Sequence, residues 1–189
     1  MSVLVTGGLG YIGSHTCVEL INAGFDIVVI DNLYNCKKSS YDRIKALVGK
    51  DFPFYQVDIR DAEGLQKVFD AEQIDSVIHF AGLKAVGESC EKPLEYFDNN
   101  VTGTLVLLDV MRKNGCKKIV FSSTAATYGE PEYTPIDENH PQSPINPYGN
   151  SKLMVEKIMD DYSKAYDLRS VRLRYFNVAG ADVQTRVGE

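Results

Sequence analysis

The chain has 189 residues, 44% hydrophobic and 24% charged, which is the balance of an ordinary globular domain. A chain of this length buries roughly 70% of the surface its unfolded form exposes, so it needs neither disulfide nor metal to hold a core. Twenty basic side chains against twenty-six acidic ones give a net charge of −6 without any basic run, which argues against a nucleic-acid binder. Cys17, Cys36, Cys90 and Cys116 show no CxxC spacing and no histidine partner, so they read as reduced, mostly buried thiols. The first residues, MSVLVTGG, lack a basic targeting region, and no stretch approaches the roughly 20 apolar residues of a membrane span. The expected setting is the cytoplasm, with no membrane and no nucleic-acid partner.

Six short apolar runs alternate with helical patterns along the chain. Val3–Thr6 is the first predicted strand and leads through a glycine-rich turn into a helix near 12–23. Asp26–Ile30 follows, then a helix near 40–48, a strand at Phe54–Val57 and a helix near 61–72. A fourth strand at Ser76–Phe80 precedes a long helix near 93–114. Lys118–Ser122, a helix near 148–167 and a last strand at Ser170–Arg174 complete the series. Strands regularly joined by helical crossovers predict an α/β fold with a Rossmann-type doubly wound parallel sheet in the order 3-2-1-4-5-6. Five of the seven prolines fall between Pro131 and Pro147, so GEPEYTPIDENHPQSPINP is expected to be a long loop. Candidate reactive residues flank it on both sides, which favours an active-site loop over a linker.

The turn after the first strand carries Gly7, Gly8, Gly10 and Gly13, followed by Tyr11 and Ile12 in the opening of the helix. Glycines there permit a tight turn and let the backbone approach a pyrophosphate at the helix N-terminus. Asp31, eighteen residues past Gly13, ends the second strand, and Asn32 follows it. A carboxylate at that place accepts both adenosine ribose hydroxyls and repels a 2′-phosphate, which favours NAD over NADP. Asp58 and Ile59 follow the third strand, where a carboxylate can take the adenine amino group. Phe80, Ala81, Gly82, Leu83 and Lys84 follow the fourth, with small residues for close approach and one cation. The fifth strand ends in SSTAATYG, and the last long helix opens with PYGNSK. Tyr148 and Lys152 are four apart and share a helix face. A free phenol, of pKa near 10, is a poor base, and a neighbouring ammonium lowers it. Thr124 supplies a hydroxyl that can bond the reacting oxygen and steer its proton.

With these residues in place, the chain resembles the UDP-glucose 4-epimerase (UDP-galactose 4-epimerase) family of extended short-chain dehydrogenases/reductases. The strings that carry the resemblance are VTGGLGYIGSHTCVEL, DNL at 31–33, DIR at 58–60, HFAGLKAVGES at 79–89, PLEYFDNNVTGT at 93–104, SSTAATYG at 122–129, PYGNSKLMVE at 147–156 and LRYFNVAGA at 173–181. HFAGLKAVGES is the most specific of them. The resemblance implies bound NAD and a UDP-hexose substrate, UDP-galactose or UDP-glucose. Tyr148 would be the base for the sugar 4-hydroxyl and Lys152 its electrostatic partner, with Thr124 where many members have serine. Positions Gly7, Gly10, Tyr11, Ile12, Gly13, Asp31, Asn32, Leu33, Tyr34, Asn35, Cys36, Asp58, Ile59, Phe80, Ala81, Gly82, Leu83, Lys84, Asn99, Tyr148, Lys152 and Phe176 fall on NAD-contacting places. Asn177, with Thr124 and Tyr148, falls on a substrate-contacting one. No metal site is implied. The implied reaction removes the 4-OH proton and the C4 hydride, turns the 4-keto sugar over, and returns hydride to its other face.

A nucleotide-sugar 4,6-dehydratase or decarboxylase is the nearest alternative, but it needs an extra acid where Ala125 and Ala126 follow Thr124. A non-catalytic NAD-binding module has no need of the Thr124, Tyr148 and Lys152 set. Members of the family continue beyond the sixth strand into a region that holds the uridine nucleotide. Residues 1–189 therefore read as the NAD-binding domain with the catalytic set, the substrate-binding C-terminal domain being absent. On that reading the isolated chain binds NAD and turns over UDP-galactose poorly or not at all. Leu94, Phe97, Val101, Leu105 and Leu108, widened by Val106, Leu107 and Val110, form a stripe expected to pack on the sheet. The resemblance further implies a homodimer, paired through this helix and the Tyr148 helix.

Overall fold

A computed structural model describes residues 2–181; the polar stretch 182–189, which the sequence reading placed after the RYFN string, lies outside the described residues. Six parallel strands form one sheet in the order β3-β2-β1-β4-β5-β6, as expected. They are β1 (Ser2–Thr6), β2 (Asp26–Ile30), β3 (Phe54–Tyr55), β4 (Ile74–His79), β5 (Lys118–Thr124) and β6 (Arg169–Tyr175). The main helices are α1 (Tyr11–Asn22), α2 (Ser39–Val48), α3 (Ala62–Ala71), α4 (Val86–Glu91), α5 (Pro93–Phe97), α6 (Gly103–Lys113) and α7 (Pro147–Tyr166).

Successive side chains of a strand point to opposite faces, so each strand feeds two cores. On one face Leu4, Val28, Ile30, Val77, Ile119 and Phe121 meet Leu65, Val68, Leu107, Leu108, Met111, Val155 and Met159 from α3, α6 and α7. On the other, Val3, Val5, Ile27 and Val29 meet Leu9, Cys17, Ile44 and Phe52. Cys17 and Cys116 are buried, but Cys90 is exposed and Cys36 only partly covered, so the thiols are less uniformly buried than expected.

Three local differences from the sequence reading have physical causes. The third strand ends at Tyr55, two residues early, because β2 ends at Ile30 and offers no further partner beyond the Ile30–Tyr55 pair. A short helix, α4, occupies residues to which the sequence reading gave no element; its six residues are too few to show a period. The single helix expected over 93–114 is interrupted by a π-helical turn at Asp98–Thr102. A π turn adds about one residue to the local repeat and rotates everything before it relative to everything after. The stripe read as core is therefore split. Leu107, Leu108, Val110 and Met111 are buried, whereas Leu94 is 80% exposed and Leu105 37% exposed.

Candidate active site

The nucleotide side of the site is built from glycines with different jobs. Gly7 has φ +66°, and a Cβ there would lie 2.7 Å from the Ala81 nitrogen. A Cβ on Gly13 would lie 2.3 Å from the Gly7 carbonyl oxygen, so α1 packs directly on the turn. Gly10 differs: a Cβ there would meet only the Gly7 oxygen, at an ordinary 3.5 Å. Nothing inside the protein demands glycine at position 10. The space left open lies before the first turn of α1, where no side chain caps the helix and the leading amides have no intrahelical acceptor. This fits a group that the backbone must approach, such as a pyrophosphate.

Asp31 is buried at the end of β2 and tightly oriented. Its Oδ2 accepts from the Leu9 amide at 3.1 Å, and its Oδ1 from the Leu33 amide at 2.9 Å and the Cys36 thiol at 3.2 Å. Burial, with the Asp31 charge beside it, pushes the Cys36 thiol up to about 12. Leu33 takes a left-handed conformation, while Asn32, Tyr34 and Asn35 are exposed. Asp58 already accepts from the Arg60 amide and guanidinium and from Asn32 Nδ2 at 2.9 Å. Those bonds hold its carboxyl far below the usual range. Ile59 is buried in the core against Gly103.

The reactive side chains meet where β5 gives way to a short 3-10 turn at Ala125–Thr127. Asn146 caps α7 by accepting from the Gly149 amide at 2.8 Å, and Pro147 fills the first helical position, where its missing N–H costs nothing. A Cβ on Gly149 would stand 2.5 Å from the Ala126 carbonyl oxygen, so this glycine lets the first turn of α7 close on the end of β5. The result is a Tyr148 phenol placed beside the Thr124 hydroxyl. Burial raises the Tyr148 pKa, opposed by the Thr124 hydrogen bond and the Lys84 charge. Lys152 is 4% exposed, and burial pushes its pKa down to about 8. Its Nζ donates to the Ser122 carbonyl at 3.0 Å and lies 4.8 Å from the Phe121 ring centroid. The Lys84 charge is one of the influences that lower the Tyr148 pKa.

Sequence reasoning missed a buried polar chain that ties these parts together. Thr104 donates to the Asn100 carbonyl at 2.6 Å, which leaves its oxygen to accept from His79 Nε2 at 2.9 Å. His79 Nδ1 therefore accepts from the Thr6 hydroxyl at 2.6 Å. Burial, and next the Lys152 charge, lower the His79 pKa to about 3, so the ring is neutral. The Asn100 side chain accepts from the Leu83 amide at 2.8 Å and donates to the Leu83 carbonyl at 3.0 Å and to Ser151 at 3.1 Å. Ser151 donates to the Tyr148 carbonyl at 2.7 Å. The π turn is what brings Asn100 inward; its neighbour Asn99, the residue singled out from sequence, lies partly exposed and donates to Asn100 at 2.9 Å.

All the residues singled out lie at or beyond the carboxyl ends of the strands, or on helices reaching that edge, where open α/β sheets collect ligands. Tyr11 donates from its hydroxyl to the Gly180 carbonyl, bridging α1 to the segment after β6. Phe80, Ala81, Gly82 and Leu83 are partly buried beside Lys152 and Asn100, and Phe176 and Asn177 are exposed past the end of β6. Among the described residues no cluster of His, Cys, Asp and Glu could hold a metal, and no helix is long and apolar enough to cross a membrane.

A glycine turn on a six-strand parallel sheet, with a Thr–Tyr pair and a buried lysine at the same edge, defines an extended short-chain dehydrogenase/reductase. The sequence model of the family described as GDP-mannose 4,6 dehydratase matches residues 4–188, and the chain belongs to that family. Its relatives include UDP-glucose 4-epimerases from Bacillus subtilis (strain 168), 54% identical, and Pasteurella multocida (strain Pm70), 55% identical. Each match covers all of this chain and 56% of the relative, so the chain spans about half the length of these proteins. A crystal structure of UDP-glucose 4-epimerase from Bifidobacterium longum, in complex with NAD+ and UDP, superposes with a TM-score of 0.98. It is 48% identical, over 100% of this chain and 57% of that one.

Proposed function

We propose that this chain is the NAD-binding and catalytic part of a UDP-hexose 4-epimerase acting on UDP-galactose and UDP-glucose. The juxtaposition of Tyr148 and Thr124 carries this reading, because it puts a proton acceptor and a hydroxyl donor within reach of one oxygen site at the ligand-collecting edge. NAD, when bound, supplies the acceptor and donor of the hydride exchanged at C4 of the sugar. The amides around Gly7, Gly10, Tyr11, Ile12 and Gly13 hold the pyrophosphate, and Asp31 takes the adenosine ribose hydroxyls. Asn32 to Cys36, Asp58, Ile59 and Asn99 line the adenosine side; an adenine amino group at Asp58 exchanges with one of the donors already there. Phe80 to Lys84 and Phe176 line the nicotinamide side. Lys152 would hold the nicotinamide ribose hydroxyls, and Tyr148 Oη takes the proton of the sugar 4-hydroxyl while Thr124 bonds the same oxygen. Asn177 contacts the sugar nucleotide. The region that holds uridine corresponds to the part of the relatives outside the match.

The family description names a dehydratase, but 4,6-elimination requires an acid beside the reactive hydroxyl. Ala125 and Ala126 occupy that turn, and the buried carboxylate of α7, Glu156, is engaged by Arg174, Ser123 and Gln142. This favours epimerisation. A cytoplasmic setting follows from the reduced cysteines. The exposed Leu94, Leu105 and Met154 on α5, α6 and α7 support pairing with a second copy, so sedimentation should show a dimer; a clean monomer at micromolar concentration contradicts it. The functional test is conversion of UDP-galactose to UDP-glucose, without added NAD, by a full-length protein that contains these residues. Conversion is expected, and its absence in an NAD-loaded sample rejects the reading.

A further inference from the structure

Glu156 lies two turns along α7 from Tyr148 and one turn from Lys152, and it is 2% exposed. A carboxylate so placed must be paired, and this one is paired with three separate parts of the fold. Its Oε1 accepts from the Ser123 hydroxyl, one residue before Thr124. Arg174 of β6 engages both oxygens, with Nη2 to Oε2 at 2.8 Å and Nε to Oε1 at 3.1 Å. Gln142, from the proline-rich loop, donates to Oε2 at 3.2 Å.

Arg174 extends the junction further. Its Nη1 donates to the Tyr128 hydroxyl at 2.9 Å and to the Glu138 carbonyl at 3.4 Å, while its guanidinium lies 5.1 Å from the Tyr128 ring centroid. Tyr128 packs edge-on against buried His140. His140 Nδ1 donates to the Pro141 carbonyl, and Nε2 accepts from the Glu132 amide. The long loop is thus tied to the Glu156–Arg174 pair at residues 138 and 142, while His140 braces it internally through residues 132 and 141 and packs on Tyr128. It sits over β5 and β6, on the far side of β4 from the glycine turn of β1.

We infer that Glu156 and Arg174 are positioning residues for substrate. Their pair holds the 129–146 loop, the Thr124 end of β5 and the exit of β6 toward Asn177 in one arrangement above the catalytic helix, and the loop forms the sugar-side wall. Neither residue touches the reacting atoms. This rests on the epimerase reading for what the wall contacts, but the locking of the loop stands on the hydrogen bonds alone.

Glu156→Gln replaces an acceptor-only carboxylate by an amide that presents donors to Arg174, Ser123 and Gln142. In the protein carrying this sequence it is expected to raise amide hydrogen exchange across residues 129–146 by about tenfold or more while leaving the α1 and β1 amides unchanged. Bound NAD per chain should stay within about twofold of the parent, and kcat/KM for UDP-galactose should fall by roughly 10²-fold, as misplacement of a reacting group commonly costs. Gln142→Ala cuts only the loop's own tie and leaves the ion pair; it should raise KM by about threefold or more at unchanged kcat, the loss of one positioning hydrogen bond. Exchange in the loop that matches the parent in Glu156→Gln overturns the inference. So does parent-like kcat/KM in both variants, or loss of bound NAD in proportion to lost activity. If Glu156→Gln fails to fold, Gln142→Ala decides by the same KM reading and loop exchange. A parent that binds NAD but does not epimerise rejects the epimerase reading instead, and the exchange measurement still decides whether the pair locks the loop.

Discussion

Replacing Tyr148 by phenylalanine is expected to lower epimerisation by roughly 10²- to 10⁴-fold, the usual contribution of a positioned proton-transfer group. The ring remains and only the hydroxyl beside Thr124 is lost, so packing of α7 should be unchanged. NAD binding should survive, because on this reading pyrophosphate and adenosine would be held by residues that follow β1, β2 and β3. Burial keeps the Tyr148 phenol protonated in the cofactor-free chain, with only the Thr124 hydrogen bond and the Lys84 charge opposing it. A bound positively charged nicotinamide adds the further lowering that base action needs. A Tyr148→Phe protein that turns over within about twofold of the parent has its proton acceptor elsewhere, an outcome incompatible with general-base action by this phenol.

The second large effect is expected at the glycine turn. Gly13→Val must place its Cβ 2.3 Å from the Gly7 oxygen and 2.8 Å from Gly8 Cα, both backbone atoms that cannot swing aside. Overpacking of this kind costs about 1–3 kcal/mol or more. For a chain of this size each kcal/mol lowers the melting temperature by roughly 2–4 °C. NAD affinity should fall with it, because α1 is pushed off the turn. Gly10→Ala separates folding from binding. Its Cβ meets nothing closer than 3.5 Å, so melting should match the parent while NAD affinity drops. Thermal unfolding and NAD titration of both variants check this, and a Gly10→Ala protein that binds NAD as the parent does would show that the space before α1 is not where the pyrophosphate sits.

How much of this was legible beforehand depends on range. The sheet order, the six strands and the glycine turn follow from apolar rhythm and from glycine placement, both of which are local. The pairing of Tyr148 with Thr124 was legible only as two short strings, since the closeness of α7 to β5 depends on Gly149 meeting the Ala126 carbonyl. The π turn at Asp98–Thr102 left no mark in the apolar pattern, and the predicted core stripe ran through it; Leu94, across the turn from the buried Leu107 and Leu108, emerges on the surface. Asn100 and His79 were hidden for a different reason. Each is an ordinary polar residue until partners 17 to 73 positions away in sequence engage its side chain. Glu156 was visible as part of PYGNSKLMVE, but nothing in that string shows that Arg174, Ser123 and Gln142 converge on it.

The most direct test follows the C4 hydrogen of the sugar. UDP-galactose carrying deuterium at C4 is supplied to the protein carrying this sequence, without added NAD, and the product is examined by mass and by NMR. UDP-glucose that keeps the deuterium at C4 is the predicted result. Deuterium lost to solvent would contradict the reading, and a 4-keto-6-deoxy sugar carrying the deuterium at C6 would contradict it and return the chain to the dehydratase chemistry of its family description.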